Sequence, residues 1–312
     1  MENPILQLEQ VVKTYDRKIA VDHVTFAVPK GSIFGLLGPN GAGKTSLIRI
    51  ITTITQADSG KVFLDGEILN SRHPAHIGYM PEERGLYKKM KVGEHILYLA
   101  RLKGLSKAGA EAETRRWFEK FGIMDWWGKK VEELSKGMQQ KIQFISTVLH
   151  GPKLLILDEP FSGLDPINSN LIKDEIEILR KQGTSIIFST HRMEQVEEIC
   201  NNIVLINQGK NILQGGVAEI RQRFKEHLFR IDFHGQLPEA LEEKVKIVDR
   251  KANSITLQLP DGGDSNTLLR YLIDQGVGIM AFQEILPALN EIFIRQVQAF
   301  DAGARQTASF ML

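Results

Sequence analysis

Cysteine is nearly absent. One residue, Cys200, stands in a chain of 312, which excludes an intrachain disulfide and fits a reducing compartment. It reads as a buried apolar residue. No window approaches the ~18 consecutive apolar residues of a spanning helix, so the membrane part of any membrane process would have to come from another chain. Met1 to Gln10 lacks a basic stretch followed by a long apolar core, and no secretory signal is expected. Charge of one sign is also missing. With 39 Lys+Arg against 38 Asp+Glu and a net charge of +1, there is no electrostatic reason to expect nucleic acid as a partner, and no basic block forms a tail. What is present is ordinary for a globular protein: 42 % apolar and 25 % charged residues, in a length that predicts a main domain plus a smaller one.

Glycine is concentrated in Gly38-Pro39-Asn40-Gly41-Ala42-Gly43-Lys44-Thr45. This stretch follows the apolar run Ile33-Phe34-Gly35-Leu36-Leu37, which reads as a buried strand. It opens a segment with Leu47, Ile48, Ile50, Ile51 and Ile54 at helical spacing. A glycine-rich loop between strand and helix is the context of a P-loop. Its glycines bring backbone N–H groups close to phosphate oxygens, and the positive end of the helix dipole favours the same anion. Lys44 is expected to reach the terminal phosphates and Thr45 to hold Mg²⁺, with Ser46 completing the nucleotide-binding stretch.

The flanking sequence reads as an α/β fold. Residues 5–12 and 20–28 are predicted as antiparallel strands beside the P-loop strand, joined through Asp16-Arg17-Lys18. Tyr15, at the end of the first, either packs or stacks on an adenine face. Ile77 to Met80 reads as a strand stopped by Pro81 and followed by the charged Glu82-Glu83-Arg84-Gly85-Leu86-Tyr87. From about 91 to 149 the pattern is helical, with Ile96, Leu97, Leu99 and Leu102 on one face and Trp117, Phe118 and Phe121 on another. Ser135 caps a helix bearing Ile142, Ile145, Val148 and Leu149. That helix start is either an ordinary cap or a second phosphate site.

Lys153 to Asp158 is a buried strand ending in Asp158 and Glu159. Carboxylates at that end of an α/β sheet lie where ligands collect. Asp158 is placed to hold Mg²⁺ through water, and Glu159 to orient and deprotonate the attacking water. Ser162 to Pro166 forms a turn, about 168–181 a helix, and 184–190 a strand ending at His191, a partner for the terminal phosphate. Strands at 202–207 and 210–213 and a helix from Val217 to about Lys225 close the main domain, 1–225. Residues 226–300 then show a β-α-β-β-α-β order with a terminal helix, which fits a small ferredoxin-like α+β unit. That unit is either a packing extension or a regulatory or dimerising domain. Residues 301–312 are expected as a loose tail.

In order, these segments resemble the ATP-binding subunit of ABC (ATP-binding cassette) transporters over roughly residues 4 to 225. The resemblance implies a P-loop NTPase cassette with a mixed sheet, an antiparallel β subdomain and a helical insertion, followed here by the small α+β domain. Within it, Tyr15 matches the adenine-stacking aromatic, and Leu134-Ser135-Lys136-Gly137-Met138 the family signature. Asp158 and Glu159 match the metal-holding and catalytic carboxylates, Ser162 to Asp165 the loop crossing a dimer interface, and His191 the switch histidine. Glu82 stands where the family usually has the glutamine that senses Mg²⁺ and the attacking water. Lys136 and Met138 also depart from the commonest signature, leaving the Ser135 and Gly137 contacts available. The run Met80 to Tyr87 and the segment Asn290-Glu291-Ile292-Phe293-Ile294 look like the exporter branch that includes sodium-extruding and multidrug exporters. The family geometry implies ATP held between the P-loop of one subunit and Ser135 and Gly137 of another, in a homodimer or with a paired cassette. A separate transmembrane permease would receive the stroke, with this chain peripheral on the cytoplasmic face of the cell membrane. The rival readings are a soluble cassette ATPase acting on ribosomes or nucleic acid, and a regulatory module without turnover.

Overall fold

The structure, a computed structural model, describes residues 3–16, 18–83, 85–260 and 262–309. Arg17 of the first expected connection, Arg84 of the charged run and the last three residues of the expected tail lie outside these. The chain forms two compact units, divided between Gly216 and Val217.

In the first unit β1 (Leu6–Tyr15) and β2 (Lys18–Val28) make an antiparallel hairpin from Leu6↔Val28 to Tyr15↔Lys18. β3 (Ile33–Leu37), buried at every position, runs into the glycine loop and α1 (Lys44–Ile51). Then come β4 (Ser59–Leu64), β5 (Glu67–Ile68) and β6 (Ile77–Met80). The helical stretch contains α2 (Val92–Leu102), α3 (Lys107–Lys120) and α4 (Lys136–Val148). The remainder alternates: β7 (Leu154–Asp158), α5 (Pro166–Lys181), β8 (Ser185–Ser189), α6 (Met193–Ile199), β9 (Asn202–Asn207) and β10 (Lys210–Gly216).

These strands form two sheets. One is antiparallel, in the order β2-β1-β4-β5. The other, β10-β9-β3-β8-β7-β6, is parallel except for β10. The mixed sheet, antiparallel subdomain and helical insertion are thus all present. The β1–β2 pair is not hydrogen-bonded to the P-loop strand as its expected place beside it implied. It belongs to the other sheet, and the two share one core through Leu6, Leu8, Val24, Phe26, Phe34 and Leu36. Both faces of β3 are covered, which is why it reads as a continuous apolar run rather than an alternating one. Two expected core positions are instead exposed, because each sits at or past a helix end: Ile54 beyond α1 and Leu102 at the end of α2. The apolar face of α2 is filled by Val92, Ile96 and Ala100, with His95 buried among them.

The second unit begins with α7 (Val217–Arg223), upstream of the boundary expected at 225. The Arg221 guanidinium ties α7 to this unit by donating to the carbonyls of Pro287 (3.0 Å) and Leu286 (3.3 Å). β11 (Leu228–His234), α8 (Leu241–Lys244), β12 (Lys246–Lys251), β13 (Ser254–Gln258), α9 (Ser265–Asp274), β14 (Gly278–Ile285) and α10 (Leu289–Ser309) follow. The sheet order β12-β13-β11-β14, antiparallel throughout, is that of a ferredoxin-like unit. Phe229, Ile231, Ile255, Leu257, Leu268 and Leu272 fill its core. α8 is short because it begins only at Leu241, after a turn at 239–240, and β12 starts at Lys246. The loose tail is corrected: the backbone stays helical through Ser309, since residues 299–308 contain strong helix formers and no proline to stop them.

Candidate functional site

The glycine loop is built around positions only glycine fills. Gly38 and Gly43 have φ of +149° and +112°, and a Cβ on them would lie 2.2 Å from the Ile206 carbonyl oxygen and 2.3 Å from that of Ala20. α1 starts at Lys44 with Gly43 as its cap and no side chain on its first N–H groups, which stay free for an anion. Lys44 Nζ folds back to donate to the carbonyls of Gly38 (2.6 Å) and Pro39 (3.1 Å).

The carboxylates meet this loop at the carboxyl ends of the parallel strands. Asp158 ends β7, where the Ser189 hydroxyl at the end of β8 hydrogen-bonds it. Burial pushes the Asp158 carboxyl above its ordinary range; the Ser189 hydrogen bond opposes this, the Glu82 and Glu159 charges add to it, and Lys44 opposes it. Burial likewise lowers the Lys44 ammonium, against the pull of Asp158, Glu159 and Glu82. One lysine therefore faces three acidic side chains. That surplus of negative charge suits a divalent cation: Mg²⁺ is held by one or two carboxylates plus phosphate oxygens rather than by an all-protein cage.

Glu159 is the most constrained of the acids. Its backbone is left-handed, with φ +49°, a conformation that costs a non-glycine residue about 1 kcal/mol or more. Its side chain is 12 % exposed. Oε1 accepts from the His191 backbone N–H at 2.7 Å and lies 2.7 Å from the His191 ring Nδ1, while Oε2 accepts from the Thr190 hydroxyl at 3.1 Å. The Glu159 N–H in turn donates to the Ser189 carbonyl at 2.9 Å. A strained backbone and donors on both oxygens hold this carboxylate in one orientation, with the His191 ring largely exposed beside it.

The other expected positions lie at the surface. The Ser135 hydroxyl caps α4 by accepting from the Met138 N–H at 3.3 Å. A Cβ on Gly137 would lie 3.4 Å from the Gly163 carbonyl oxygen, so the signature glycine approaches the Ser162–Asp165 turn of its own chain. Asp165 caps α5, accepting from the Asn168 N–H (3.0 Å) and side-chain amide, which hold its carboxyl below the usual range. The Tyr15 ring is 38 % exposed with Lys13 Nζ 5.5 Å from its centroid. Among the described residues no hydrogen bond or ion pair joins Ser135, Gly137, Asp165 or Tyr15 to the segment Gly38–Ser46. The loop and the Asp158, Glu159, Glu82 and His191 groups come together; the signature does not join them within one chain.

Some site residues were not anticipated. Ser189 and Thr190 hold Asp158 and Glu159, and their signal was a pair of hydroxyls at a strand end. Gln140 and Gln143 lie on the buried side of α4, where Gln140 Nε2 donates to the Pro160 carbonyl (2.9 Å) and Gln143 Nε2 to that of Pro81 (2.7 Å). Their signal was a polar residue at helical spacing within an apolar face. Burial, the Asp158 charge and the opposing Arg49 leave the Tyr79 hydroxyl pushed up to about 12, so it stays protonated at neutral pH.

Comparison with known proteins gives the same answer as the geometry. The ABC transporter family model matches residues 21–162, and that of the DrrA1-3-like ATP-binding protein C-terminal domain matches 215–297. The chain is 44 % identical over 297 residues to YhaQ of Bacillus subtilis (strain 168), named an uncharacterized ABC transporter ATP-binding protein, covering 95 % of this chain and 99 % of that one. It is 36 % identical over 213 residues to the Nod factor export ATP-binding protein I of Burkholderia pseudomallei (strain 1710b), covering 67 % and 70 %. A solved ATP-binding subunit of an ABC transporter superimposes with a TM-score of 0.66 at 29 % identity, over 70 % of this chain and 93 % of that one. The chain belongs to the ABC transporter ATP-binding proteins, and is an ATP-hydrolysing P-loop cassette followed by a small α+β domain.

Proposed function

We propose that this chain is the energy-supplying subunit of a membrane exporter: two cassettes close around two ATP molecules, hydrolyse them, and pass the movement to a separate transmembrane permease. The observation that carries this reading is Glu159, oriented by His191 and Thr190 beside the glycine loop. It is placed to receive a proton from the attacking water, while Lys44 exchanges the Gly38 and Pro39 carbonyls for phosphate oxygens. Phosphoryl transfer needs positioning and charge stabilisation, which the uncapped start of α1 and Lys44 supply. Thr45, Asp158 and Glu82 would hold Mg²⁺, whose contribution is to neutralise charge on the β- and γ-phosphates. Tyr15 stacks on adenine.

Among the described residues Ser135 and Gly137 make no hydrogen bond to their own glycine loop, and in this reading they and the exposed Asp165 turn beside them serve the pocket of another copy. Each cassette then supplies half of two pockets. The permease is a separate chain in this reading; among the described residues no helix is long and apolar enough to cross a membrane. A relative named for Nod factor export supports the direction, and in this reading the subunit sits peripherally on the cytoplasmic face of the membrane. Glu159→Gln is the test. With ATP the variant is expected to form a stable dimer that does not turn over; a variant that hydrolyses ATP at close to the parent rate would refute the reading.

A further inference from the structure

β6 carries Glu82 just beyond its end, and the helical insertion grips this strand at both ends. At the start, Lys103 at the end of α2 donates from Nζ to the carbonyls of Pro74 and Ile77, each at 2.8 Å. At the far end, Gln143 of α4 donates from Nε2 to the carbonyl of Pro81 at 2.7 Å. Gln143 is 3 % exposed, and its Oε1 is buried without a hydrogen-bond partner among the described residues. A leucine would fill the same volume without burying an unpaired acceptor, so the amide is useful here only for the donor it gives to Pro81. Three residues earlier on the same side of α4, Gln140 Nε2 donates to the carbonyls of Pro160 (2.9 Å) and Glu159 (3.4 Å). Two amides of one helix thus hold the peptide groups beside both Glu82 and Glu159, and that helix is the one capped by Ser135.

We infer that Gln143 is a positioning residue that fixes Glu82 against the Asp158 carboxylate and ties its placement to the signature helix. This rests on Glu82 acting on the metal side of the pocket, as proposed above. Movement of α4 when another cassette's nucleotide engages Ser135 is then transmitted to both acidic loops through these side chains, and the metal side of the pocket is set by contacts inside the helical insertion.

The test is the Mg²⁺ dependence of ATP binding, measured by equilibrium titration in a Glu159→Gln background so that no turnover intervenes. Gln143→Leu is expected to raise the Mg²⁺ concentration for half-maximal binding about tenfold, the size of one buried hydrogen bond, and to leave ATP binding in EDTA unchanged. Gln143→Met, which keeps length and flexibility without the donor, serves if the leucine variant does not fold. In a Glu82→Ala background the same substitution should have no further effect, so that the double-mutant cycle shows the whole change as coupling. An undiminished Gln143→Leu shift in the absence of the Glu82 carboxylate would show a merely structural role and overturn the inference. So would an unchanged Mg²⁺ dependence in Gln143→Leu when Glu82→Ala alone shifts it. If Glu82→Ala itself leaves the dependence unchanged, the metal-side reading of Glu82 has failed and the inference falls with it.

Discussion

Replacing Glu159 by glutamine takes away a charge while leaving the local hydrogen bonds nearly intact. The amide oxygen still accepts from the His191 N–H, and the new NH₂ faces the Thr190 hydroxyl, which accepts as readily as it donates. The left-handed backbone at this position is no more strained with glutamine than with glutamate. What folding loses is the charge-assisted part of bonds to a histidine whose side chain is 74 % exposed, and solvent screening keeps that below about 1 kcal/mol. What catalysis loses is the proton acceptor, a factor of roughly 10²–10⁴, or ~3–5 kcal/mol in the barrier. The two effects therefore separate by several fold. Phosphate release at saturating Mg·ATP should fall at least ~100-fold, while equilibrium ATP affinity stays within about threefold, a change of ~0.7 kcal/mol. A turnover rate within about threefold of the parent would refute the assignment of the base. Rate and affinity falling together would make Glu159 a binding group instead.

The remaining predictions concern buried charge. Burial pushes the His95 imidazole from 6.5 down to about 4, and among the described residues neither ring nitrogen has a hydrogen-bond partner. A neutral buried histidine stabilises the fold fully above pH 6.5 and loses that contribution as pH falls toward 4, by about 3 kcal/mol in all. His95→Leu should lower its melting temperature less than the parent does between pH 7 and pH 4.5, as followed by thermal unfolding; parallel losses would contradict this. Asp158 behaves with the opposite sign. Its raised carboxyl pKa makes the ionised form a burden on the nucleotide-free fold, felt as pH rises through that pKa. Asp158→Asn should therefore melt higher than the parent at neutral pH, converge with it in acid and lose Mg²⁺-dependent hydrolysis; a lower melting temperature at neutral pH would show that Lys44 more than compensates the charge.

Much of this was legible in the residues themselves. Strands β3, β7 and β8 are covered on both faces, so their apolar runs and the changes of pattern at Gly38, Glu159 and His191 marked their ends closely. The second unit's β-α-β-β-α-β order could likewise be read from alternation, whereas the Asp264 cap of α9, accepting from the Asn266 and Thr267 N–H groups, emerges only in the structure. Which sheet a strand joins was not legible: β1 and β2 show the same alternation whether they flank β3 or stack across a core from it. Helix ends also misled, since spacing assigns Ile54 and Leu102 to apolar faces that the helices no longer present there. In the site, residues offering a side chain to phosphate or metal stood out by type and place. Those that work by holding a carbonyl or carboxylate, Gln140, Gln143, Ser189 and Thr190, gave only the weak signal of polarity inside a buried pattern.

In the proposed pocket, completed by two cassettes, hydrolysis would depend on their encounter: Lys44 and Glu159 would supply one side of it, and Ser135 and Gly137 of another copy the other. The decisive measurement is ATPase activity per mole of chain as a function of chain concentration, at saturating Mg·ATP. Activity per mole should rise with concentration through the monomer–dimer range and then level off. Constant activity per mole, down to concentrations at which the chain remains monomeric with ATP bound, would contradict the shared pocket.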